Sequence, residues 1–222
     1  MGASRSLRAV LFDLDGTLVD SAPDLLGALA WLRRRLDLPA RDYGGLRHHA
    51  SRGALGIIEA GFSDQPGLDR EQLRARFLDR YAEHYWVESR PFAGVDAMLE
   101  HLRSEGLSLA VVTNKVWRLA DPLVAAAGWK TLLPCVIGGD TAVRPKPDPA
   151  PVLEACLRLG VSPDEALMVG DDIRDIEAGR RAGCRTAAAT WGYVAPGEDP
   201  RSWGADHLLG QPDEIQEIIS VF

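Results

Sequence analysis

Lysine, cysteine and long apolar runs are scarce in this chain. Only three of its 222 residues are cysteine, Cys135, Cys156 and Cys184, and they lie far apart among apolar neighbours. Neither a disulfide framework nor a zinc knuckle is indicated, and a reducing compartment, the cytoplasm, is expected. No stretch approaches the roughly 20 apolar residues that a membrane span needs. The opening MGASRSLRAVLF has neither an apolar core nor a small-residue cleavage site, so no signal peptide is expected. A formal charge of -7 argues against nucleic acid as the main partner, because phosphate backbones are bound through concentrated positive charge. There is no GxxxxGK[ST] loop and no GxGxxG after a strand, so neither a nucleotide nor a dinucleotide site is expected. What remains is an ordinary globular composition, 46% apolar and 26% charged, with enough apolar residues for a sizeable core.

The stretch Ala9 to Asp20, AVLFDLDGTLVD, stands out. Val10, Leu11 and Phe12 favour a short buried strand, and Gly16-Thr17 ends it in a sharp turn. Strand side chains alternate, so Asp13 and Asp15 point the same way. Two carboxylates side by side at the mouth of an apolar strand repel each other unless a cation sits between them or one keeps its proton. The plainer alternative is a turn whose aspartates cap backbone groups.

From Asp20 to about Trp86 the pattern is helical. Ser21-Ala22-Pro23 offers a helix start, Leu25, Leu29, Leu32 and Leu36 recur at helical spacing, and Leu38-Pro39 ends the run. Helical stretches at about 45–60, broken at Ser51-Arg52-Gly53, and about 69–87 follow with no strand between them. They read as a separate small bundle, giving a core of residues 1–19 and 89–222 and a helical cap of residues 20–88. From Val95 onward helices alternate with apolar strands at about 107–112, 135–137, 166–169, 185–190 and 207–209, with a closing helix at about 212–219. The expected fold class is therefore α/β, a Rossmann-like parallel sheet with helices on both faces plus an inserted helical bundle.

Parallel sheets bind ligands outside the carboxyl ends of their strands. Asp13/Asp15, Thr113/Asn114 and Asp171/Asp172 all fall at such ends and should converge on one crevice. The chain has three lysines, Lys115, Lys130 and Lys146, and Lys146 lies between Pro145 and Pro147, which restrict its backbone. Aspartates at two strand ends suit Mg²⁺, and Thr113, backbone N–H groups and Lys146 suit an anionic phosphoryl group. A carboxylate can itself attack phosphorus. His48-His49 diverge by about 100° on a helix and do not share a metal, while Trp191, Tyr193 and Trp203 read as cover for the sheet edge.

DLDGTLVD, VVTN, RPKPDP and VGDDIRD, in that order, resemble the four motifs of the haloacid dehalogenase-like (HAD) phosphatase superfamily, and the helical insert resembles its first cap type, C1. Within it the chain is similar to phosphoglycolate phosphatases. WGYVAPGEDPRSWGAD near the C-terminus resembles the members that act on N-acetylmuramic acid 6-phosphate. The resemblance implies an Mg²⁺-dependent phosphatase in which Asp13 is the nucleophile and Asp15 the general acid and base. It implies a metal held by Asp13, the carbonyl of Asp15 and Asp171, and a phosphoryl group bound by Thr113, Asn114 and Lys146. Asp172 and Asp175 are candidates to support the metal, Asp175 alternatively capping its helix, and Arg52 is a candidate to read the substrate. The implied partner is a small phosphorylated metabolite, N-acetylmuramate 6-phosphate before 2-phosphoglycolate, with the protein a monomer or homodimer. A sugar phosphomutase and a silent phosphometabolite-binding module are the alternatives.

Overall fold

A computed structural model of the chain describes residues 6–221, so residues 1–5 and 222 of the expected core lie outside the described residues. The main sheet is built from β1 (Ala9–Phe12), β4 (Ser108–Val112), β5 (Cys135–Ile137), β6 (Ala166–Gly170), β7 (Arg185–Ala189) and β8 (His207–Leu209). Its order is β5-β4-β1-β6-β7-β8, and every pairing is parallel. Strand alternation divides the core between two faces. Val10 and Phe12 of β1 point to the side covered by α4 (Val95–Ser104), α5 (Trp117–Ala126) and α8 (Ile215–Val221). Ala9 and Leu11 point to the side covered by α6 (Ala150–Leu159) and α7 (Ile173–Ala182). The strands inside the sheet are buried on both faces, as parallel strands are, which is why they read as apolar runs, while the edge strand β8 exposes Leu208.

Between β1 and α4 the chain makes α1 (Ala22–Arg34), a 3₁₀ stretch over Gly44–Arg52, α2 (Gly53–Gly61) and α3 (Arg70–Glu83). These helices bury Leu29, Leu32, Ile57, Phe62 and Phe77 in a cluster that also takes in Leu119 of α5 and Tyr193. The segment enters and leaves through a second, antiparallel pair, β2 (Val19–Asp20) and β3 (Arg90–Pro91). Asp24 ties the two crossings together, its carboxylate accepting from the N–H groups of Val87, Glu88 and Ser89 and from Ser89 Oγ at 2.6–3.0 Å. No helix among the described residues is long and apolar enough to cross a membrane.

Sequence periodicity extends α1 to Leu38, but the helix ends at Arg34. Asp37 takes a positive φ of 53°, and the fully buried Arg33 turns its guanidinium to the carbonyls of Pro39 and Gly61 and to Asp64. The third helix likewise stops at Glu83 rather than near Val87, because residues 87–89 are held by Asp24.

Candidate active site

Strands β4, β1 and β6 are adjacent in the sheet, so their carboxyl ends deliver Thr113, Asn114, Lys115, Asp13, Asp15, Asp171 and Asp172 to one place. Lys146 arrives from the loop ahead of α6, and Asp175 from the first turn of α7. Carboxylate oxygens of Asp13, Asp171 and Asp175 lie within 4.8 Å of one another, all three residues being buried. Lys146 Nζ bonds Asp13 at 2.9 Å and Asp175 at 2.7 Å. One ammonium against three carboxylates leaves a surplus of negative charge in a place with little water.

The titration behaviour follows from that surplus. Burial, then Asp13 and Asp175, holds Asp171 well above the usual carboxylate range, although the Tyr193 N–H and Thr17 pull the other way. Asp175 is pushed up to about 7, chiefly by burial and against the pull of Lys146. Burial would depress Lys146, but the adjacent carboxylates of Asp13 and Asp175 outweigh it and hold the ammonium above its ordinary range. Asp171 is aimed by Thr17 Oγ1, which donates to its Oδ1 at 2.7 Å, and by the Tyr193 N–H, which donates to its Oδ2 at 2.9 Å. The turn around it has no spare room: a Cβ on Gly16, whose φ is +93°, would stand 2.1 Å from Asp171 Oδ2.

Asp15 is not in this trio. Lys115 Nζ donates to its two oxygens at 2.9 and 3.1 Å, and Ser21 Oγ donates to Oδ1. The Asp15 carboxylate is tied to Lys115 and Ser21 at the cavity wall rather than to the trio. The Lys115 ammonium also sits over the ring of Tyr81, 4.4 Å from its centroid. Burial, with Asp15 and Asp24, raises the Tyr81 hydroxyl well above its usual range, so it is neutral.

Other expected residues are engaged in ways the sequence did not reveal. The Asn114 amide exchanges two 2.9 Å hydrogen bonds with the main chain of Lys146, so it positions that lysine. Asp172 caps α7 and is held bidentately by Arg174, which also donates to the Ser51 carbonyl at 2.6 Å. Arg52 lines the cavity and reaches Glu59 at 3.4 Å. Tyr193, expected only to cover the sheet edge, supplies a backbone donor to Asp171, and its hydroxyl donates to Asp20 and accepts from the Ala22 N–H. Lys115 had a legible signal, since it is one of three lysines and directly follows VVTN. Asp175 signals both a cap and a site residue, and it is both: Oδ2 accepts from the Asp172 N–H and Oδ1 meets Lys146.

The resulting cavity has a volume of about 310 Å³. Its floor includes Asp13, Asp15, Asp175 and Lys146, and its roof is formed by residues of the 3₁₀ stretch, α2 and α3. A hard divalent cation fits the donor set, because three carboxylate oxygens within 4.8 Å supply ligands of the right type and need the charge. The same floor offers a carboxylate nucleophile beside an ammonium, the combination needed for attack on an anionic phosphoryl group.

The family model for haloacid dehalogenase-like hydrolases matches residues 7–183. The chain belongs to this family. It is 42% identical over 216 residues to an N-acetylmuramic acid 6-phosphate phosphatase of Pseudomonas aeruginosa, covering 96% of this chain and 95% of that protein. It is 41% identical over 210 residues to a phosphoglycolate phosphatase of Xanthomonas campestris pv. campestris, covering 95% of each. The crystal structure of a predicted phosphoglycolate phosphatase from Haemophilus somnus superposes with a TM-score of 0.87 at 28% identity, covering 97% of this chain and 99% of that one. This HAD-like protein is thus a phosphoric monoester hydrolase on the family's α/β fold.

Proposed function

We propose that this enzyme is an Mg²⁺-dependent phosphatase of small-molecule phosphomonoesters that works through an aspartyl phosphate on Asp13. The observation that carries the reading is the buried trio Asp13, Asp171 and Asp175 within 4.8 Å, with Lys146 beside it. Mg²⁺ held by these carboxylates and the Asp15 carbonyl would act as a Lewis acid toward the phosphoryl oxygens. Asp13 attacks phosphorus as the ester P–O bond breaks, and Asp15 gives its proton to the departing alkoxide. Asp15, now a carboxylate, takes a proton from water as that water attacks the phosphoryl group on Asp13. Inorganic phosphate leaves, the Asp13 carboxylate is restored and Asp15 is protonated again. Lys146 offsets charge on nucleophile and transferring group, Thr113 donates to a phosphoryl oxygen, and Asn114 contributes by aligning Lys146. Asp172 and Asp175 differ in this scheme, since Asp175 faces the metal while Asp172 anchors Arg174.

The preferred substrate is N-acetylmuramate 6-phosphate, with 2-phosphoglycolate second. Relatives at 42% and 41% identity bear the first name and relatives at 41% and 43% the second, so the preference rests on the cavity, whose volume of about 310 Å³ is more than a two-carbon acid fills. Residues 1–19 and 89–222 act as the core and 20–88 as a cap that closes over the ester and excludes water, a division favoured by the apolar cluster formed mainly by the inserted helices and by the β2/β3 crossing. We further propose the cytoplasm as its compartment, consistent with three free cysteines. The test is phosphate release from a panel of phosphorylated metabolites with Mg²⁺ and with EDTA, run beside Asp13→Asn. Release that needs the metal and vanishes in the variant supports the reading, and no release from any compound by the wild type overturns it.

A further inference from the structure

Helix α3 runs beside the cavity and serves it with one row of side chains. Leu73, Phe77 and Tyr81 pack into the helical cluster, while Arg74, Leu78 and Tyr81 line the cavity at the i, i+4, i+7 spacing that aligns side chains. Tyr81 is fully buried, and its hydroxyl has no hydrogen-bond partner. The residue therefore borders the cavity with its ring and not with that hydroxyl, which is sealed from it. It stands at the catalytic end, because its ring lies under Lys115, which holds Asp15. Arg74 lies seven residues earlier, about 10 Å along the helix axis. Its guanidinium is half-exposed and meets Glu71, itself 77% exposed, at 3.6 Å. A surface pair of that kind is weak and can be exchanged for another carboxylate.

We infer that this row reads the leaving group along its length, an inference that rests on the phosphatase reading above. Leu78 packs on the carbon skeleton beside the Tyr81 ring, and Arg74 pairs with a carboxylate at the far end. The substrate class is a sugar phosphate carrying a carboxylate about two helical turns from the phosphoryl group. A two-carbon acid is too short to touch both ends of the row.

The test compares kcat and KM for N-acetylmuramate 6-phosphate and N-acetylglucosamine 6-phosphate, which share sugar and phosphate and differ in the lactyl carboxylate. The wild type is expected to prefer the first at least about tenfold, the value of one charged hydrogen bond. Arg74→Gln should lower kcat/KM for that substrate by about 10- to 100-fold, mainly through KM, and leave the other within about twofold, so the preference disappears. A wild type without preference, or an Arg74→Gln enzyme that keeps it, overturns the inference and leaves the phosphatase reading standing. Release of phosphate from neither sugar overturns both the preferred substrate and this inference.

Discussion

At alkaline pH, where Asp171 and Asp175 have lost the protons that burial and their neighbours hold on them, Asp13→Asn should kill the enzyme yet leave the metal-free protein at least as stable as the wild type. Asparagine keeps the size of the side chain and an oxygen that can accept from Lys146, but removes one charge from the trio. With oxygens up to 4.8 Å apart and an effective dielectric of about 20, each like-charge pair costs about 3.5 kcal/mol, or about 7 kcal/mol for the two that Asp13 makes. The attraction lost to Lys146 at 2.9 Å is about 6 kcal/mol on the same scale. The balance favours the variant by about 1 kcal/mol, a rise in Tm of about 2–4 °C for a chain of this size. Saturating Mg²⁺ should reverse the order, because the wild type offers three carboxylates to the cation and the variant two. Thermal unfolding in EDTA and in Mg²⁺, with phosphate release measured alongside, reads both effects. Activity should fall by at least about 10⁴-fold, as expected when a nucleophile is removed. A variant that melts well below the wild type in EDTA, or that gains as much from Mg²⁺, would refute the account of the trio as a metal site held against its own repulsion.

The remaining predictions concern protons, glycine and the crossing strands. Asp171 is held above the usual range and Asp175 near 7, so the metal-free folded protein binds more protons than the unfolded chain from the ordinary carboxylate range up to about 7. Its stability should therefore fall as pH rises through that window, and the gain in Tm from Mg²⁺ should grow between pH 6 and pH 8 as protons cease to compete; a gain independent of pH would contradict this. Gly16→Ala should cost about 2–4 kcal/mol and abolish metal-dependent turnover, because the new methyl meets Asp171 at 2.1 Å on a backbone with φ +93°; denaturant unfolding and phosphate release check it, and an active, stable variant would be inconsistent with the crowding described. Asp24→Ala should destabilise by about 3 kcal/mol, since three N–H groups and a hydroxyl lose their acceptor. Its KM should rise along with the loss of stability, and an unchanged KM would show that the crossing strands do not position the roof.

The parts of the fold legible beforehand are those where burial leaves a long, regular trace. β1, β4 and β6 are apolar on both faces, the helices between them carry 3.6-residue periodicity, and parallel connection then forces their polar ends together. Two-residue strands leave no such trace, which is why β2 and β3 stayed hidden behind helical patterns. The 3₁₀ stretch over Gly44–Arg52 and α2 after it do match the helical pattern at about 45–60 broken at Ser51-Arg52-Gly53, but the pattern does not distinguish 3₁₀ from α in the first part, where only Ala50 is buried. In the site, the motif residues converge as their spacing implies, but what each carboxylate does depends on neighbours far away in sequence. Asp171 and Asp172 are adjacent, yet one lies among carboxylates and the other pairs with Arg174. Strand-to-helix geometry separates them, and no local pattern records which of the two turns inward.

The contacts between the helical segment and the strand ends give the site a further property. Ser21 follows β2 at the start of the helical segment, and its hydroxyl donates to Asp15. Ser51, in the 3₁₀ stretch of that segment, reaches Asp171 Oδ2 at 3.4 Å and gives its carbonyl to Arg174. Arg47 pairs with Asp20 at 2.7 Å and stacks over Tyr193, whose backbone aims Asp171. A displacement of the segment large enough to admit substrate must therefore break or lengthen bonds to the very carboxylates proposed for acid catalysis and for the metal. Closure would restore them. Water exclusion and alignment of the reacting groups then depend on the same few hydrogen bonds, and no long-range pathway is needed to couple them.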